Sequence, residues 1–123
     1  MFAKLIAQLK TLFGFSNKKN EIFSQAVLAV FGVAIDSRIF LSGDPNVEEW
    51  AARVAGLARA WSEAAVKISR VDDGLRDNCL EMVRYFSKLP PADTRGRADG
   101  LARTDAVLEE ASKFLQEGGK LLN

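Results

Sequence analysis

Residues 47–71 read VEEWAARVAGLARAWSEAAVKISRV, and the spacing of their apolar side chains decides the fold. Val47, Trp50, Val54, Leu57, Trp61, Ala64, Ile68 and Val71 follow one another at alternating steps of three and four. That repeat keeps one stripe of a 3.6-residue helix apolar along its whole length. A helix over this span would be about 36 Å long, with a coiled-coil-like seam. Ala51, Ala58 and Ala65 flank the seam at every seventh position, where small side chains let a neighbouring helix come close. The two tryptophans on the seam, Trp50 and Trp61, suit core packing first. The same spacing would serve a subunit interface anchored on aromatic rings.

Working outward, both ends of this helix carry stop signals. Ser42-Gly43-Asp44-Pro45-Asn46 predicts a turn and a helix start, with Asp44 ahead of Pro45, or Asn46 with Glu49, as the cap. Asp72-Asp73-Gly74 interrupts the repeat on the other side. A tight hairpin with Asp72 or Asp73 capping the next helix is preferred over a single bent helix. Leu75, Cys79, Met82, Val83, Phe86 and Leu89 form the stripe of that next helix. Pro90 and Pro91 forbid its continuation, and residues 90–97 read as the longest irregular stretch. A last helix is predicted from about Asp99 to Glu117, with Leu101, Val107, Leu108, Ala111, Phe114 and Leu115 inward and Gly118-Gly119 as its stop.

Upstream of the seam, Ile22 to Ile35 is apolar except for Ser24 and Gln25. A helix that is apolar on all sides is a buried one, and this one is predicted to begin near Asn20 or Glu21. It reads as too short for a membrane span, because Asp36 and Arg38 follow. Small residues at Gly32 and Ala34 invite a signal-peptide reading, but the sequence ahead of the run is too long for the usual n-region.

The first 15 residues are different in kind. Phe2, Leu5, Ile6, Leu9, Leu12 and Phe13 recur at helical spacing, with Lys4, Gln8, Lys10 and Thr11 between them. This predicts a short amphipathic helix with a basic back, stopped at Gly14 and joined to the rest by a linker over 16–20. The first 20 residues hold four of the 17 bases and none of the 16 acids; the other 103 therefore carry 13 bases against 16 acids, a net charge of −3. Three destinations fit the stripe of Phe2, Leu5, Ile6, Leu9 and Phe13: the protein's own core, a partner's groove, or an anionic membrane surface with Lys4 and Lys10 towards the lipid headgroups.

The totals bound the rest. At 123 residues one domain is the default, and a composition 48% apolar and 27% charged is that of a folded chain, not a disordered one. Histidine is absent, which removes Ser-His and Cys-His nucleophiles and the usual zinc, haem and di-iron ligand sets. The single cysteine, Cys79, allows no internal disulfide and fits a reducing compartment. It lies on an apolar stripe beside Met82 and reads as a packed thiol. Asp72, Asp73, Asp77 and Glu81 are close in sequence, but their spacing does not match an EF-hand loop and capping explains the first two. Arg95, Arg97 and Arg103 surround the proline- and glycine-rich stretch and could clamp an anion there. A net charge of +1 disfavours nucleic acid as a partner.

The sequence thus predicts an all-α protein: an antiparallel bundle of four helices over 20–123 behind an amphipathic N-terminal helix over 1–15. The function expected is non-enzymatic, a cytoplasmic protein-protein interaction or assembly module that binds another protein or itself. No cofactor or metal is implied. The alternatives are a peripheral membrane protein anchored by the N-terminal helix, or a phosphate or nucleic-acid binder using the arginines of 95–103.

Overall fold

A computed structural model describes the backbone of residues 18–122 and the side chains of residues 21–117. The protein is all-α. Four helices span the described residues, with no strand among them: α1 Lys18–Ser42, α2 Val47–Ile68, α3 Asp73–Ser87 and α4 Thr94–Leu122. The amphipathic helix expected over 1–15 lies outside the described residues.

The seam helix forms as its spacing predicts. Asn46 is the N-cap, its side chain accepting from the Glu48 N–H at 3.2 Å, and Glu48 and Glu49 sit at the positive end of the helix dipole. Trp50, Val54, Trp61, Ala64, Ala65 and Ile68 are buried. Val47, the first residue of the helix, is an exception at 77% exposed.

The break at 72–74 is a hairpin. Val71 and Asp72 donate back to the Ile68 carbonyl, both at 2.9 Å. The Asp72 carboxylate then accepts from the Leu75 N–H at 2.9 Å and starts α3. The two helices pack against each other along their length. Leu75, Cys79, Met82 and Phe86 face the core. Leu89, placed on the same stripe by spacing, lies beyond the end of α3 and is exposed.

Three boundaries differ from the sequence reading. Helix α1 already includes Lys18 to Asn20, expected as linker, and continues past Asp36 to Ser42. Helix α4 starts at Thr94 instead of about Asp99, because Asp93 supplies the missing cap: its carboxylate accepts from the Gly96 N–H at 2.7 Å and its carbonyl from the Arg97 N–H at 3.0 Å. The helix then runs through Gly118-Gly119 to Leu122; no described glycine takes the positive φ of a left-handed cap.

Helix α1 packs on α2 and on α4, and α3 packs on α4 as well as on α2. Side chains of all four helices meet in one apolar cluster. From α1 come Ala26, Val27, Val30, Phe31, Val33, Ala34 and Leu41. Phe23 stacks on Phe114 at 5.4 Å between centroids, and Phe40 stacks on Trp50 at 4.6 Å, tying the two ends of α1 to different neighbours. By length and composition alone Glu21–Ser42 is long and apolar enough to cross a membrane, contrary to the reading that it is too short. In this fold 44% of that window is buried.

Candidate interaction surface

Helix α1 is the one element whose sequence makes no distinction between inside and outside. Its inward arc is filled by the core residues just named, together with Ser24 and Ser37. Its outward arc between Ile22 and Ile39 is Ile22, Gln25, Leu28, Ala29, Gly32, Ile35, Asp36 and Ile39. Only Gln25 and Asp36 on that arc are polar. Ile39 is 65% exposed and Ile22 46%; Gly32 is exposed, and Leu28, Ala29 and Ile35 are half-buried. The arc is about 26 Å long at 1.5 Å per residue. A helix buried all round is what the sequence predicts, and the structure corrects this: Ile22, Gln25, Gly32, Asp36 and Ile39 are exposed. Large contiguous apolar patches on a protein surface mark contact sites; here Gln25 and Asp36 interrupt the apolar residues of the arc.

The upper end of the strip opens into a groove of about 260 Å³ between α1 and α2, lined by Asp36, Ile39, Phe40, Arg53, Gly56 and Leu57. Its floor is built by stacking. Phe40 stacks on the buried Trp50, and the Arg53 guanidinium sits over the Phe40 ring, 5.1 Å from its centroid, a cation–π arrangement. Gly56 adds no side chain, and a Cβ there would meet nothing within 4 Å. The groove therefore offers an apolar floor with one acid and one base at its rim, which suits an amphipathic segment better than a small polar ligand. The sequence signal for this surface is slight: Gln25 and Asp36, eleven residues apart, share one side of the helix.

The tryptophans themselves are not on the surface. Trp61 is fully buried and Trp50 nearly so. Their indole N–H groups donate within the fold, Trp61 to the Ser37 hydroxyl at 2.9 Å and Trp50 to the Pro90 carbonyl at 2.8 Å. Both rings pack the core of the chain itself.

The three arginines sit on α4 and not on a loop, and they do not converge. Arg97 is a staple: its Nε donates to the Ala92 carbonyl at 3.0 Å and its Nη1 to the Gly43 carbonyl at 2.9 Å, joining the turn after α1 to the start of α4. Arg103 pairs with Asp99 at 3.2 Å and lies 5.4 Å over the Tyr85 ring. Arg95 is exposed. Arg103 also borders a cleft of about 410 Å³ with Arg84, Lys88 and Tyr85, but Glu81 pairs with Arg84 there and Asp99 with Arg103. The Tyr85 hydroxyl donates to the Gly96 carbonyl at 2.9 Å. Burial and then Asp99 push its pKa up, against the opposing effect of Arg103.

The acidic residues near Asp72 are likewise occupied. Asp72 caps α3, Asp73 and Asp77 pair with Arg76, and Glu81 pairs with Arg84. Among the described residues no group of three or more acidic, cysteine or histidine side chains is placed to hold a metal ion. Cys79 is buried, and burial pushes its thiol up to about 12. Phe2, Lys4, Leu5, Ile6, Leu9, Lys10 and Phe13 lie outside the described residues. No protein-family model matches the chain, and neither does any curated protein or solved structure.

Proposed function

We propose that this chain is a non-enzymatic interaction module, an antiparallel four-helix bundle with an amphipathic N-terminal helix that binds another protein or a second copy of itself in the cytoplasm. The observation that carries this reading is the outward arc of α1, where Ile39 stands 65% exposed beside the groove floored by Phe40. A helix that packs the core on one side and presents isoleucine on the other has a second apolar contact to make. Its rim charges, Asp36 and Arg53, would set the orientation of what docks there rather than its strength.

A photo-crosslinking amino acid placed at Ile39 of the full chain tests this directly. Irradiation in cells is expected to yield one discrete adduct, which disappears when Ile35 is changed to glutamine. An adduct of twice the chain's mass would mean self-assembly. Irradiation that leaves only free monomer would remove the basis of the reading.

A second reading rests on a separate observation, the four lysines and no acid in the first 20 residues. It makes the chain a peripheral membrane protein, with Phe2, Leu5, Ile6, Leu9 and Phe13 in the headgroup region and Lys4 and Lys10 towards anionic lipid. Binding to anionic vesicles should then fall steeply with salt and with Lys4→Glu plus Lys10→Glu. Binding that ignores both changes rules it out.

A further inference from the structure

We infer that the occupant of the groove between α1 and α2 is a second copy of this chain, packed about a twofold axis that runs along the groove. Ile39 of each copy then enters the other copy's groove at Gly56, and Asp36 of each faces Arg53 of the other. This rests on the interaction reading above and names its partner.

The groove is self-complementary. Helices α1 and α2 run antiparallel: Ser37 meets Trp61 and, further along, Phe40 meets Trp50. Asp36, Ile39 and Phe40 therefore lie level with Arg53, Gly56 and Leu57, and the two sets form opposite walls of one groove. A twofold axis along the groove keeps the level and exchanges the walls, so it lays the α1 wall of one copy over the α2 wall of the other. Each wall has what the other lacks. On the α1 wall Ile39 projects, 65% exposed. On the α2 wall Gly56 is exposed, and nothing stands within 4 Å of where its Cβ would be. A projecting side chain beside an open place on the same face allows an isologous contact, in which residue i meets j and j meets i.

The charges repeat the pattern. Asp36 stands on the α1 wall and Arg53 on the α2 wall, both exposed. Among the described residues neither has an ion-pair partner in its own chain. Exchanging the walls sets each Asp36 against the other copy's Arg53, so one dimer makes the pair twice. The remaining charges on these sides balance in sign. By helical spacing they are Glu49, Arg59, Glu63 and Lys67 on α2, and Lys18 with Glu21 at the base of α1, about 22 Å or more from Asp36. A face two helices wide and about 26 Å long is at the small end of stable interfaces, so monomer and dimer are expected to exchange at micromolar concentrations.

The test is sedimentation of the full chain from about 1 to 500 µM, with Asp36→Arg and Arg53→Asp as charge variants. The parent is expected to show a monomer–dimer equilibrium. Each variant alone sets like charges against each other twice and should dimerise about tenfold more weakly or worse. Mixed in equal amounts, the two variants restore both pairs across the heterodimer, and association should return. A parent that stays monomeric throughout, variants that dimerise like the parent, or a mixture no better than its components would each overturn the inference. A second measurement leaves Arg53 and its contact with Phe40 in place. Ile39→Cys and Gly56→Cys chains, mixed and treated with a short bismaleimide, should crosslink at least about tenfold faster than either chain alone, because the axis sets residue 39 against 56 and not against itself; the buried native Cys79 is left in place. Equal rates overturn it as well. The photo-crosslink at Ile39 separates the two proposals: an adduct of another mass keeps the interaction reading and overturns this partner, whereas free monomer alone removes both.

Discussion

The Trp61 indole N–H donates to the Ser37 hydroxyl at 2.9 Å, and that hydroxyl donates in turn to the Val33 carbonyl at 2.7 Å. Both side chains are fully buried. Ser37 thus accepts from α2 with one lone pair and donates along α1 with its proton, so a single oxygen joins the two helices at the centre of the core. Ser37→Ala leaves the indole donor buried with no acceptor. The expected loss is about 1–3 kcal/mol, read as a lower midpoint in urea. In a Trp61→Phe background the same substitution should cost clearly less, since no donor is left stranded. Equal losses in both backgrounds would mean that the hydrogen bond contributes nothing.

Gly100 of α4 lies tight against Tyr85 of α3 and Leu41 of α1. A Cβ there would stand 2.5 Å from the Tyr85 hydroxyl oxygen and 2.8 Å from Leu41 Cδ1. Alanine is the better helix former by roughly 1 kcal/mol, yet overpacking of this kind costs about 1–3 kcal/mol. Gly100→Ala is therefore expected to lower the melting temperature. Tyr85→Phe removes the nearest atom, so Gly100→Ala should be milder in that background, and a double-mutant cycle by thermal denaturation measures the difference.

Leu89 is the one non-glycine residue among those described with positive φ, at 54°, and its side chain is 53% exposed. A left-handed backbone costs an L-residue roughly 1–2 kcal/mol, part of which glycine returns as chain entropy in the unfolded state. Leu89→Gly should stabilise the protein by about 0.5–1 kcal/mol. A fall in the urea midpoint would show that the half-covered side chain matters more than the backbone.

Cys79 bears on alkaline stability. Its thiol rises from the ordinary 9.0 to about 12 through burial. The unfolded chain therefore loses its proton first, and the contribution to stability is complete below pH 9.0 and lost progressively from there towards about 12. Cys79→Ala should flatten that part of the stability profile relative to the parent, whatever it costs in packing at neutral pH. The native thiol should also resist modification by an aromatic disulfide at pH 8 until denaturant is added; prompt labelling of the folded protein would contradict its burial.

Much of the fold was legible because periodicity is a local property. The alternating steps from Val47 to Ile68 named the inner face of α2, and Asp72 announced the start of α3. The start of α4 was not legible. Pro90, Pro91 and Gly96 signal irregular chain, and only the placed backbone shows that the Asp93 carboxylate reaches the Gly96 N–H. The arginines were misleading for a related reason. Nearness in sequence suggested a cluster, but a helix turns Arg95, Arg97 and Arg103 in different directions, and Arg97 is claimed by the carbonyl of Gly43, remote in the chain.

By itself the sequence determined that the chain is helical, where most of its turns fall, and which chemistries it lacks the side chains to perform. Spacing, caps and composition act within a few residues, so they can be read without knowing what lies across the core. Tertiary structure alone decided which side of α1 is outside. Isoleucine, valine and leucine occupy nearly every direction around that helix, so beyond Gln25 and Asp36 little in the local pattern distinguishes its faces. The choice follows from where α2 and α4 come to rest, and two neighbours cannot enclose a whole cylinder. The strip from Ile22 to Ile39 is the part they leave uncovered.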